Sequence, residues 1–271
     1  MKKAINKIEE SLKMVDFVIE VLDSRAPLST QNEYIEKVIK QKPTLYVLTK
    51  KDLSIEEEAN KWISYFEKEG KKAIAINLKD QASLNSIFKK IVEFCREKDE
   101  KYAKKGIKNI STRAMIIGIP NVGKSTLINY LAKKSVTKVE NKPGLTKNVR
   151  WVKIDKLEVM DTPGILEPQL EDKTKAMNLA LIGGIKQEIL PKEELLEASL
   201  NYLIANHKEE LFKRYDIEEN TQKHSEILAQ IAKRRGFLLK DGELDLLKAQ
   251  DILLNEFRNG IICKYTLERV N

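Results

Sequence analysis

The chain carries Gly118-Ile119-Pro120-Asn121-Val122-Gly123-Lys124-Ser125, a spacing of two glycines, a lysine and a hydroxyl suited to holding a run of phosphates. Glycines let backbone N–H groups close around phosphate oxygens, and the start of a following helix adds partial positive charge. In this reading Asn121, Val122, Gly123, Lys124, Ser125 and Thr126 line the phosphates. Lys124 reaches the β and γ groups, and Ser125 ligates Mg²⁺. A second stretch, Asp161-Thr162-Pro163-Gly164, supplies a carboxylate to hold Mg²⁺ through water and a Gly164 N–H for the γ-phosphate. In Lys142-Pro143-Gly144-Leu145-Thr146-Lys147-Asn148 the Thr146 hydroxyl completes the metal's coordination. Lys124, Thr146 and Gly164 are then the groups at the reacting phosphate. Contacts of this kind are lost on hydrolysis, which makes a switch.

A third stretch reads the base. Thr49-Lys50-Lys51-Asp52 follows an apolar run. A carboxylate there accepts two hydrogen bonds from guanine, from its ring N–H and its exocyclic amine. Adenine lacks that donor pair, and a site built for it rejects the analogue. The Lys50 stem lies along the ring. Asn77-Leu78, after the next apolar run, is the place for a loop whose backbone touches the base.

These residues need strand ends and helix starts to hold them. Val15–Leu22, Thr44–Leu48, Ala73–Ile76 and Arg113–Ile117 are short apolar runs of the kind found in buried parallel strands. Residues 149–154 and 157–160 read as a hairpin. Helical spacing falls at 4–13, 31–40, 54–69, 82–104 and from Thr126 onward. The fold class is thus α/β, a mostly parallel doubly wound sheet with a phosphate loop. Beyond 166–171 the pattern turns helical, with apolar stripes at 176–182, 189–205, 211–215, 225–232 and 244–257; residues 261–265 read as a short terminal strand. The division is 1–169 for the nucleotide domain and 170–271 for an all-α domain.

Composition narrows the class. Of 271 residues 42% are hydrophobic and 33% charged, enough for a real core. No apolar run is long enough to span a bilayer, and neither a secretory signal nor an Arg-rich transit segment opens the sequence. Cys95 and Cys263 are isolated, so neither a metal motif nor a disulfide framework follows, which suits a reducing, cytoplasmic setting. The histidines, His207 and His224, come late, which excludes a His-based triad or metal site in the first two-thirds. The net charge of +8 favours an acidic partner such as RNA. Lys213, Arg214, Lys233, Arg234 and Arg235 are the candidate RNA contacts, the alternative being basic caps on helix C-termini.

The order of the motifs is informative. A guanine-nucleotide switch usually runs phosphate loop, threonine, D-x-x-G, then the base motif. Here Asp52 and Asn77 precede Gly118, as if the sheet had been cut at one surface loop and rejoined at another. The sequence resembles the circularly permuted GTPases, and most closely the ribosome biogenesis GTPase A family. The matching residues include Val21–Pro27, Thr49–Asp52, the phosphate loop with Pro120-Asn121, Lys142–Lys147, Asp161–Gly164 and Lys233–Gly236. The resemblance implies GTP hydrolysis coupled to late assembly of the large ribosomal subunit, with the helical domain touching ribosomal RNA. It also implies a potassium ion at Asn121 beside GTP/GDP and Mg²⁺. The expected chain is a monomer without integral membrane association.

The sequence departs from that family in places. Its members open with W-F-P-G-H-M, whose histidine is implicated in catalysis; this sequence starts at what aligns with that methionine, so either the start is truncated or hydrolysis lacks one component. Thr49 stands where Asn is usual, and its hydroxyl replaces only part of the amide's bonding. Asn77-Leu78 replaces the commoner Ser-Ala. Ile165, after D-T-P-G, cannot orient water, and an apolar residue there is typical of the family. Slow turnover alone, stimulated by the ribosome, is expected. A GTPase acting on another RNA, or a nucleotide-dependent scaffold, are the alternatives.

Overall fold

The computed structural model describes residues 2–106, 111–134, 150–154, 156–161 and 170–270. It divides into two compact units, one of Met1–Leu170 with Thr266–Asn271 and one of Glu171–Tyr265. The chain thus leaves the first unit after 170 and returns to it at Thr266.

The first unit is built on a sheet of six strands: β1 (Phe17–Asp23), β2 (Thr44–Thr49), β3 (Lys72–Ala75), β4 (Thr112–Ile117), β5 (Arg150–Ile154) and β6 (Leu157–Asp161), in the order β3-β2-β1-β4-β6-β5. All neighbouring pairs are parallel except the β5–β6 hairpin. Parallel strands need crossover connections, and helices supply them. After α1 (Lys2–Leu12), which precedes the sheet, these are a single turn α2 (Pro27–Thr30), α3 (Glu33–Ile39), α4 (Glu56–Lys68), α5 (Gln81–Ala103) and α6 (Lys124–Lys134). The helix expected over 31–40 is α3, which starts at Glu33 because Asn32 takes its cap and accepts from the N–H groups of Tyr34 and Ile35. Side chains alternate across a strand. Val18 packs with Ile8, Leu12, Ile35, Ile39 and Met115, while Phe17 faces the other way and stacks on Phe94 of α5, ring centroids 4.7 Å apart.

Every residue of β1 is buried, as the middle of a doubly wound sheet requires. Connections run outward from β1 to β2 and β3 on one side, and from β4 to β6 on the other. The strand order reverses between β1 and β4. In such sheets the crevice beyond the carboxyl ends at this reversal is the place for ligands.

The second unit is helical, with α7 (Lys173–Leu181), α8 (Lys192–Asn206), α9 (Lys208–Tyr215), α10 (His224–Arg235) and α11 (Leu246–Arg258). Leu195, Leu203, Leu211, Ile227, Leu253 and Phe257 are among its buried residues. The strand expected at 261–265 does not form. Tyr265 stacks on Phe257 at 4.2 Å, and Ile262 and Cys263 are also buried. Apolar residues here are buried against helices, with no strand paired to them among the described residues. No helix among the described residues is long and apolar enough to cross a membrane.

Candidate functional site

The parallel register brings the carboxyl ends of β1, β2, β4 and β6 to one edge. Asp23 lies opposite Thr49, Glu20 opposite Ile117, and Ile116 opposite Asp161. The phosphate loop runs from β4 into α6, as the sequence predicts. Two of its glycines are required by sterics. At Gly118, with φ +146°, a Cβ would lie 2.4 Å from the Val21 carbonyl oxygen of β1. At Gly123, with φ +102°, it would lie 2.6 Å from Leu78 Cδ1. At Gly118 the neighbour is backbone and cannot yield, at Gly123 it is the end of a flexible leucine, and both glycines sit in a conformation that L-residues rarely adopt. Asn121 is also left-handed, with φ 62°.

Lys124 is half-buried, and its Nζ donates to the Ile119 carbonyl at 2.6 Å. Burial pushes its ammonium pKa down, while Asp161 pulls the other way. The lysine and the D-T-P-G carboxylate therefore share one electrostatic neighbourhood. Ser125 and Thr126 are exposed in the first turn of α6.

The base motif meets the phosphate loop at Thr49. Its buried hydroxyl donates to Leu22 O at 2.9 Å and to Val122 O at 2.6 Å; these are alternative acceptors for one proton, so the shorter contact to the phosphate loop is the firmer. Lys50 is left-handed with φ 57°, and its Nζ lies 2.8 Å from Asp23 Oδ2. Lys51 N donates to Ile76 O at 3.1 Å, which ties the motif to the end of β3. Asp52, in a short 3₁₀ turn over Lys51–Leu53, pairs with the exposed Lys79 at 3.1 Å, and Asn77 Oδ1 accepts from Lys79 N. Thr49 to Asp52, Asn77 to Leu78 and Asn121 to Lys124 thus converge, though they are scattered in the sequence. Thr146 and Gly164 lie outside the described residues, as does the whole of 142–148.

The role of the Asp23–Arg25 pair was not legible in the sequence beyond its place at a strand end. Arg25 is 1% exposed, and it reaches Asp23 through Nε at 2.9 Å and Nη2 at 2.7 Å. Burial opposes ionisation of Asp23, but Arg25 and Lys50 outweigh it and hold the carboxyl below its usual range. A buried carboxylate with two cations is a fixed anchor for both. In the second unit, Glu256 of α11 accepts from Arg214 (2.8 and 2.9 Å), Tyr215 (2.9 Å) and Arg235 (3.0 Å). Arg234 pairs with Asp216 at 2.6 Å, and Lys213 and Lys233 are exposed.

A phosphate loop at the reversal point of a parallel sheet, bonded directly to the end of the next strand but one, defines a nucleotide-binding domain of the P-loop class. Residues 113–235 match the family model described as 50S ribosome-binding GTPase. The chain is 40% identical to ribosome biogenesis GTPase A of Bacillus licheniformis over 95% of this chain and 92% of that protein. It is 39% identical to the Bacillus cereus protein of the same name, over 99% and 91%. Among solved structures it is similar to GDP-bound YlqF (TM-score 0.69, 27% identity, 97% of this chain and 98% of that one). GNP-bound YlqF from T. maritima is similar too (TM-score 0.68, 27% identity, 98% of each). The chain belongs to the ribosome biogenesis GTPase A family. It is a guanine-nucleotide-binding GTP hydrolase involved in ribosome biogenesis.

Proposed function

We propose that the chain couples GTP binding and hydrolysis to a late step in assembly of the large ribosomal subunit, in the cytoplasm, as a monomer. The observation that carries the site assignment is the Thr49 hydroxyl on Val122 O, which joins residues 73 apart in the chain. With that join, Asp52 faces the guanine edge, Lys50 lies along its ring, and the backbone of Asn77-Leu78 closes the base side. Asn121 to Thr126 surround the phosphates. The absence of a water-orienting side chain at Ile165 supports slow turnover alone and stimulation by the ribosome.

Phosphoryl transfer is mostly positioning and charge stabilisation. Lys124 leaves Ile119 O for the β and γ phosphates, and its half-buried position strengthens the attraction between the two charges there. The donor set fits Mg²⁺: the Ser125 hydroxyl lies in the first turn of α6, and the Asp161 carboxylate acts on Lys124 from the end of β6. Thr146 is assigned as the second direct ligand and Gly164 as the γ-phosphate N–H. Bound Mg²⁺ would neutralise charge building between the β and γ phosphates. Asn121 is assigned to a K⁺ that adds charge at the same place.

The helical unit is assigned to ribosomal RNA, through Lys213, Lys233 and Arg234 on α9 and the end of α10. Arg214 and Arg235, also candidates, are held by Glu256, so their contribution to RNA is secondary to that bond. Hydrolysis by the purified chain, with and without large subunits and in K⁺ against Na⁺ buffers, tests the reading. Equal rates with and without subunits remove the coupling; equal rates in the two salts remove the K⁺ assignment. Base reading is tested by Asp52→Asn. The amide cannot accept from both guanine donors, but it donates to the carbonyl that xanthine carries in place of the amine. GTP affinity is expected to fall by about 10- to 100-fold and xanthosine triphosphate affinity to rise. Unchanged preference for GTP overturns the assignment.

A further inference from the structure

The last described residues do not trail off. From Thr266 the chain returns to the nucleotide-binding unit and touches the two loops that flank the base motif. Leu267 N donates to the Arg25 carbonyl at 2.8 Å. The Glu268 carboxylate accepts from Leu28 N at 2.6 Å and from Ser29 N at 2.9 Å, and it also takes the Ser29 hydroxyl. Trp62 Nε1 of α4 donates to Glu268 O at 3.0 Å. Thr266 Oγ1 accepts from Ile55 N at 3.3 Å, three residues past Asp52. Val270 packs against the cluster of Leu22, Tyr46, Leu48, Trp62 and Phe66.

These contacts have a direction. One set holds the β1 end loop, in which Arg25 grips Asp23 and Asp23 grips Lys50. The other holds Ile55 at the start of α4, two residues beyond the turn that carries Asp52. Lys50 and Asp52 are the side chains assigned to the guanine ring and its donor edge. A carboxylate on backbone N–H groups is among the stronger hydrogen-bonding arrangements. Glu268 spends both oxygens in this way on the turn after Arg25.

We infer that the C-terminal segment from Thr266 is a positioning element for guanine recognition, with Glu268 as the positioning residue that fixes the Asp23–Arg25–Lys50 group and Thr266 steadying the Asp52 turn. This rests on the base-reading role proposed for Asp52.

The test compares GDP with inosine diphosphate, which lacks the exocyclic amine, by fluorescence competition. The unaltered chain is expected to prefer GDP by about 10-fold or more, the worth of one charged hydrogen bond. In Glu268→Ala, and in a chain ending at Tyr265, GDP affinity is expected to fall and the preference to shrink at least threefold. A merely structural loss lowers both affinities and leaves their ratio, because both ligands bind the same folded state. A preference within twofold of the unaltered chain's, in whichever of the two variants folds, overturns the inference. No preference in the unaltered chain removes the base-reading assignment itself, and this inference with it.

Discussion

Glu20 lies in the middle of β1, wholly buried, and its Oε2 has no hydrogen-bond partner. Burial, then the nearby Glu36 of α3, hold its carboxyl up at about 8 against an ordinary 4.5; Lys71, before β3, and the Gln31 side chain work the other way. The same surroundings push the Tyr46 phenol of β2 upward, through burial and the carboxyls of Glu20 and Glu36. The folded chain thus keeps a proton on Glu20 where the unfolded chain gives it up. Stability from this group is fully present below about pH 4.5 and declines as pH rises toward 8. Each pKa unit is worth about 1.36 kcal/mol, so at pH 7 the unfolded state gains roughly 3 kcal/mol by ionising. Glu20→Gln keeps the shape and does not titrate. Its stability relative to the unaltered chain should rise by about 3 kcal/mol between pH 4.5 and 7, then level off above pH 8. Urea unfolding at a series of pH values reads this directly. A difference between the two chains that stays flat from pH 5 to 8 would refute the reasoning, since it would mean that Glu20 ionises freely in the fold.

Two further substitutions probe the other bonds. Thr49→Val keeps volume but leaves the buried carbonyls of Val122 and Leu22 without this hydroxyl; a loss of about 1–3 kcal/mol in urea unfolding is expected, with weaker GTP binding. A variant that binds GTP unchanged would separate base motif from phosphate loop. Glu256→Gln removes the charge that Arg214, Tyr215 and Arg235 share, and should destabilise the helical unit by about 2–4 kcal/mol. Burial works against this carboxylate, but its three partners hold its pKa below the ordinary 4.5. Its contribution is therefore present above that pH and lost as pH falls through the folded value. Acid unfolding that begins at the same pH in both chains would count against it.

The sequence was most informative where chemistry demands particular residue types at fixed spacing. Gly118 is dictated by its approach to the β1 backbone, and both Gly118 and Gly123 by a positive φ. The T-K-K-D end of β2 and the D-T-P-G strand end at Asp161 were legible because both follow apolar runs of strand length. The parallel strands were legible for the same reason. The terminal stretch 261–265 was misread because a short apolar run reports that residues are buried, not what buries them. Helix packing by Phe257 and a neighbouring strand leave the same trace.

Local spacing by itself determined the phosphate loop and the strands and helix around it, since each is a short-range pattern with its own steric or hydrogen-bonding demand. Only the tertiary structure decided that Thr49 bonds Val122, that Asp23 holds Arg25 and Lys50 together, that Arg214 and Arg235 turn to Glu256, and that Glu268 comes back to Ser29. Those pairings join residues far apart in the chain. Their partners are chosen by how the sheet and helices pack, which no single stretch of residues encodes.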